Sequence, residues 1–301
     1  MQFCYTNATG LDRGRYVVMV GLLIGSGQRH LASYSWKQFL NVCSDPAVDL
    51  LQNFHADRRN GYQIWKSLYS DDVDSPIEAV LDWVLDGGYP VVFGVVDRQQ
   101  FIHRRSRGEL PREIDSEWSV LGLQLALSVE KYYRDSPVDD RSTLFMFDRS
   151  LQDAVHRFER LTTEPPGWTD SYYGKNTPYP GLEHVVGAPV FAGPDHSALV
   201  QIPYLIGILI RRYIEMQAND TLGTSVTEVK NVHRWFGQIT DRCLEYPYSK
   251  AANQDAAGLF RALAPPALRQ DGARATAPNL PPEQVVVSVD TDLDHGQSGA
   301  A

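Results

Sequence analysis

Two aspartates close apolar runs in this sequence. Asp97 ends PVVFGVVD (90–97) and Asp148 ends STLFMFD (142–148). Such runs read as buried strands, and side chains just past the carboxyl ends of strands converge on one edge of a mixed α/β sheet. Two carboxylates there would hold a divalent cation or act as acid and base. The same position suits an aspartate that caps the next turn or helix, and spacing alone leaves both readings open. His55, in NFHADRRNGYQIW (53–65), would orient a phosphate or relay a proton, with a hydrogen-bonded structural histidine as the alternative. Arg104, Arg105, Arg107 and Arg112 are the densest positive cluster and Arg211-Arg212 the next. They would track a nucleic-acid backbone or form a solvated loop. Trp168, Tyr172, Tyr173 and Tyr179, in the proline-rich stretch 164–181, would stack on bases, form a protein interface or fold onto the body. Asp195-His196-Ser197 spells a hydrolase triad, but contiguous residues cannot converge as orienter, base and nucleophile. It reads as the cap of the following helix.

The elements that would position these groups follow from periodicity and breakers. Residues 2–6 and 15–24 read as strands joined by a turn at Thr9-Gly10-Leu11-Asp12, the second apolar on both faces as a central strand would be. A helix is expected from about Ser33, interrupted at Pro46 and continuing toward Phe54. Residues 76–86 open with a proline at the first helical position and end at Gly87-Gly88. After the strand ending at Asp97, a basic loop over 103–112 leads to an amphipathic helix at about 115–134. A helix at 149–161 follows Asp148, a short strand is expected at 188–192, a nearly all-apolar helix at 197–217, and a further helix at 224–246.

The 301 residues fit one large domain or two smaller ones. With 43% apolar and 22% charged residues, bulk disorder is excluded. A balance of 28 basic to 37 acidic residues, net −9, argues against a generally basic nucleic-acid coat. Cys4, Cys43 and Cys243 lie far apart without a CxxC pair, which favours reduced thiols and disfavours a local zinc knuckle. No basic stretch followed by an apolar segment opens the chain, and the longest apolar runs, 16–25 and 199–210, are too short to span a bilayer. The expectation is a soluble cytoplasmic protein without a membrane partner. The absence of a linker-like shift before 264 predicts a single domain over 1–246, a short helical extension over 247–263 and a disordered acidic tail over 264–301. Within that tail QVVVSVDTDLD (284–294) is β-prone and would add a strand to a partner's sheet, or is a plain tail.

Five segments taken in order carry a resemblance: FCYTNATG (3–10), NFHADRRNGYQIW (53–65), PVVFGVVDR (90–98), LFMFDRS (144–150) and PDHSALVQIPYLIGILIRR (194–212). Together they resemble the family catalogued as domain of unknown function 3800, over roughly residues 1–215, which implies an α/β ribonuclease-H-like fold of three layers. Members begin with a strand ending Asp-Glu-Ser-Gly, where this chain has Asn7-Ala8-Thr9-Gly10. Their Glu-x-His becomes Asn53-Phe54-His55, and the last acid of their late Gln-Leu-Ala-Asp-Leu motif becomes Tyr204. The fourth-strand aspartate matches Asp148, with Asp97 as a helper.

A ribonuclease-H-like site uses three or four carboxylates to hold two divalent cations about 4 Å apart. Asparagine offers only a neutral oxygen, and a phenol with a pKa of about 10 is a poor magnesium ligand near neutral pH. The resemblance therefore implies a degenerate, non-catalytic member with at most weak metal binding at Asp148. Such a protein would bind nucleic acid or a protein partner and need no cofactor. The alternative is an active magnesium- or manganese-dependent nuclease with a reduced set of acids, using Asp148, Asp97 and His55.

Overall fold

The computed structural model describes residues 1–11, 14–42, 65, 69, 76–135, 142–148, 152–173, 181–192, 198–218, 224–244, 248 and 256–269. Five strands form one mixed sheet: β1 (Gln2–Thr9), β2 (Tyr16–Gly25), β3 (Val91–Asp97), β4 (Thr143–Asp148) and β5 (Val185–Ala192), in the order β3-β2-β1-β4-β5. β2 is antiparallel to both neighbours, while β4 runs parallel to β1 and β5. The carboxyl ends of β1, β3, β4 and β5 therefore share one edge of the sheet.

Helices cover both faces, and the alternation of side chains along the strands assigns each core. Val18, Val20 and Leu22 of β2 pack with α7 (Gln201–Gln217), α8 (Val226–Asp241), α2 (Pro76–Asp86) and α1 (Arg29–Val42). Val17, Met19 and Leu23 face α4 (Glu117–Asp135), α5 (Gln152–Thr163) and α9 (Ala256–Leu263). Two shorter helices, α3 (Arg98–Ser106) and α6 (Asp170–Tyr173), complete the second layer. The α/β class and the central, doubly buried β2 agree with the sequence reading. No helix among the described residues is long and apolar enough to cross a membrane.

Three expectations need correction. The basic loop begins as a helix, α3, because Asp97 accepts the Gln99 N–H at 3.0 Å and so caps it. The strand expected at 188–192 begins at Val185 and carries an irregular register, with Leu144 opposite Val186 and Met146 opposite Val190. The extra β5 residues include Pro189, which has no N–H to offer, so this edge is a poor template for further pairing. The packed chain also passes the expected tail boundary at 264: Ala264 and Leu268 are fully buried, and the body extends to Arg269.

The opposite edge, β3, is sealed by chain that follows α8. The Val91 N–H donates to the Arg242 carbonyl and the Leu244 N–H to the Val91 carbonyl, both at 3.0 Å. Further along, the Tyr248 hydroxyl takes the Val95 N–H and donates to the Val95 carbonyl at 3.1 Å. One fully buried phenol thus replaces a sixth strand at that point, and burial raises its pKa far above the ordinary tyrosine value. On the same side of the sheet, a buried ion pair joins α7 to α8. Arg212 Nε lies 2.8 Å from Glu228 Oε1, which also accepts the Trp65 indole N–H at 2.7 Å.

Two outcomes follow from this packing. Tyr248→Phe leaves the Val95 N–H and carbonyl unpaired and should lower stability by about 1–3 kcal/mol in urea unfolding, with faster hydrogen exchange at the Val95 amide. His233 on α8 is buried, with Nε2 2.7 Å from Gln217 Nε2, and burial holds its pKa below the ordinary value. The unfolded chain therefore binds the extra proton first, so stability should fall as pH drops below about 6.5. That acid-side loss should flatten in His233→Gln.

Candidate functional site

β1 lies between β2 and β4, with Cys4 through Thr9 all buried, so any polar side chain near its end must be satisfied by protein. The β1–β4 ladder ends at the pair Thr6–Phe147. Asn7 and Asp148 come next, side by side on one face of neighbouring parallel strands, their backbones about 5 Å apart. The 3₁₀ turn Ala198–Val200, which leads into α7, packs against both strands.

Asn7 is 3% exposed and uses both ends of its amide. Nδ2 donates to the Val200 carbonyl at 3.1 Å, and Oδ1 accepts the Ala8 N–H at 2.8 Å. Those partners, one acceptor and one donor, assign the orientation of the amide. The side chain staples the centre of the sheet to the start of α7. A carboxylate at this position has no proton to give Val200 and would bring an anion against its carbonyl oxygen.

Asp148 is 1% exposed beside this staple. Tyr204, on the first turn of α7, is half-buried against the core. Gln201 is buried, and its Oε1 has no hydrogen-bond partner among the described residues. The edge thus brings together Asn7, Asp148 and the start of α7 with Gln201 and Tyr204. His55 and Asn53 lie outside the described residues, as do Tyr179 and the Asp195-His196-Ser197 segment.

Asp97 occupies the same edge but at a distance. Asn7 pairs with Val20 and Val20 with Phe93, four residues before Asp97. Two strand spacings across and four residues along place the two backbones about 16 Å apart, and Asp148 is a further strand away. That separation is too great for a shared ion. Asp97 instead caps α3 and pairs with Arg15 at 3.3 Å.

The next residue, Arg98, was not singled out from the sequence, and its guanidinium organises the β1–β2 turn. It donates to the carbonyls of Gly14 at 2.7 Å, Gly10 at 3.0 Å and Leu11 at 2.6 Å, while Nε meets Glu117 at 2.8 Å. Gly10 turns there with φ of 81°, a conformation that favours glycine.

The arginine cluster is only partly free. Arg104 and Arg107 share Glu109, at 3.2 and 2.6 Å, and Arg105 donates to the Asp115 carbonyl. Arg112 is exposed. Of the stacking candidates, Trp168 and Tyr172 pack on the second core. Tyr172 lies edge-on to Phe260 and under the Lys131 ammonium.

A cluster that sequence spacing had no means to reveal lies at the far edge. Glu130, Glu183 and His184 bring potential ligand atoms within 4.8 Å of one another. The fully buried Glu130 carboxylate, however, accepts the Glu183 and His184 N–H groups at 3.1 and 2.7 Å. Arg134 sits 3.0 Å from Glu130 and 3.5 Å from Glu183. A cation already serves these carboxylates, and they hold the start of β5 in place.

Comparisons with protein-family models, with curated proteins and with solved structures return no match to this chain.

The staple makes Asn7→Asp informative. The substitution should cost about 1–3 kcal/mol at neutral pH, read from urea midpoints. Burial and the facing carbonyl favour the protonated acid, whose hydroxyl can donate to Val200. The deficit relative to wild type should therefore shrink from pH 7 toward pH 4.

Proposed function

We propose that the chain is a non-catalytic, ribonuclease-H-like protein that binds nucleic acid, in the mobile-element or defence setting that the family resemblance implies. The observation that carries the reading is Asn7. At the position where the resemblance expects the first metal-binding acid, both amide atoms are committed to holding β1 against α7. A mixed sheet whose parallel neighbours β1 and β4 end in Asn7 and Asp148 supports the fold assignment.

A two-cation phosphoryl-transfer centre needs several anionic oxygens around each metal. The mapped positions among the described residues provide one carboxylate, Asp148, next to an amide already bonded and a phenol. That donor set does not fit two divalent cations. The second reading, an active nuclease with fewer acids, draws on the buried Asp148 carboxylate and the buried oxygen of Gln201 near the same edge.

The deciding experiment is a cleavage assay on single- and double-stranded DNA, RNA and a hybrid, with magnesium and then manganese, run beside Asp148→Ala. The expected result is no product above background from either protein. Cleavage by the wild type that disappears in Asp148→Ala would overturn the non-catalytic reading in favour of the reduced-acid nuclease.

A further inference from the structure

Two segments far apart in sequence meet beside the carboxyl end of β3. α3 and its C-terminal cap carry Arg104, Arg105 and Arg107, and α9 packs against α3. The chain leaving α9 turns through Pro266–Leu268 to Arg269, whose guanidinium binds the carbonyls of Ala264 at 2.7 Å and Ala262 at 3.0 Å. Arg261 in turn donates to the Arg269 carbonyl at 3.0 Å. Arg15, just before β2, pairs with Asp97 and keeps 40% of its side chain exposed.

Among the described residues, six arginines, at 15, 104, 105, 107, 261 and 269, lie on these segments beside two carboxylates: Asp97, which is buried, and Glu109, which Arg104 and Arg107 share. Of the described acids that follow, Asp115 pairs with Arg157 and Glu117 with Arg98. Burial lowers the pKa of Arg269; Asp97 opposes that shift, and the nearby charges of Arg104 and Arg261 add to it. These guanidiniums repel one another within a protein of net charge −9, and an arriving anion relieves that repulsion.

We infer that this corner, formed by α3 and the α9–Arg269 segment, is the surface that receives the phosphodiester backbone of a nucleic acid. The inference rests on the binding reading given above and names the part of the molecule that performs it. Several observations favour a backbone over an acidic protein segment. Every cation in the set is an arginine, whose planar fork matches phosphate oxygens two at a time. The side chains span two packed segments and so follow an extended partner. The described aromatics Trp168 and Tyr172 are folded onto the core, so neither offers its face to a base. Binding of this kind is insensitive to sequence and steeply dependent on salt.

The test uses the full chain and fluorescein-labelled 20-nucleotide single-stranded and 20-base-pair duplex DNA of mixed sequence. Anisotropy is titrated from 50 to 300 mM KCl. The expected result is a linear fall of log affinity with log salt. The slope should drop by about one for Arg107→Gln and about two for Arg105→Gln/Arg107→Gln. Arg234→Gln, on an exposed residue of α8 paired with Glu78, should leave the slope unchanged. Matching urea midpoints show that the variants remain folded. No salt-dependent binding, or a double variant with the wild-type slope, overturns the assignment. Displacement by poly-glutamate at the same charge concentration as unlabelled DNA overturns it too, in favour of an acidic protein partner. Metal-dependent cleavage with this slope pattern intact would sink the non-catalytic reading and leave the arginine surface standing. Loss of the pattern without cleavage would do the reverse.

Discussion

The structure depends on one constraint: β1 is buried on both faces and paired along both edges. Near its carboxyl end no water is available, so every polar atom there must find a protein partner. Asn7 meets that requirement as no ionised carboxylate could, because an amide both donates and accepts. Its bond to Val200 sets where α7 begins, and α7 covers the face of β1 and β2. The neutral amide puts a hydrogen-bond donor, and no negative oxygen, at this point of the edge. Asp148, one strand away, is as deeply buried.

Edges of the sheet are closed by different means, and each has a consequence for what the surface can do. On β3, Arg242, Leu244 and Tyr248 supply hydrogen-bond partners at Val91 and Val95. On β5, a register irregularity and Pro189 spoil the ladder. α9 packs on the face of α4 and against α3, and its Arg261 donates to the Arg269 carbonyl.

Buried ionic groups elsewhere act as fasteners. Arg98 closes the β1–β2 turn against Glu117, Arg212 and Glu228 tie α7 to α8, and Glu130 holds the first residues of β5 with help from Arg134. In each case one charged group satisfies several backbone or side-chain partners at once, which is the arrangement that makes a buried charge tolerable. Glu130, Glu183 and His184 resemble a ligand cluster by distance alone, and their hydrogen bonds show them at work in the fold.

By itself the sequence determined the α/β class, the doubly buried β2, the strands ending at Asp97 and Asp148, and the presence of neutral side chains at Asn7 and Tyr204. These are local matters: apolar runs and periodicity record which faces are buried, and a residue type records whether a negative oxygen is present. α3 was hidden because its residues include one buried apolar side chain, Phe101, and so show no period. Its existence rests on the Asp97 cap and on packing. The tertiary structure alone decided that Asp97 stands about 16 Å from Asn7 while Asp148 is its neighbour, since strand order and register are set by contacts between distant segments. It alone decided that α9 lies against α3, bringing Arg261 and Arg269 near arginines more than 150 positions away in the chain. Burial pattern is written along the chain, whereas juxtaposition arises only when the chain folds back on itself.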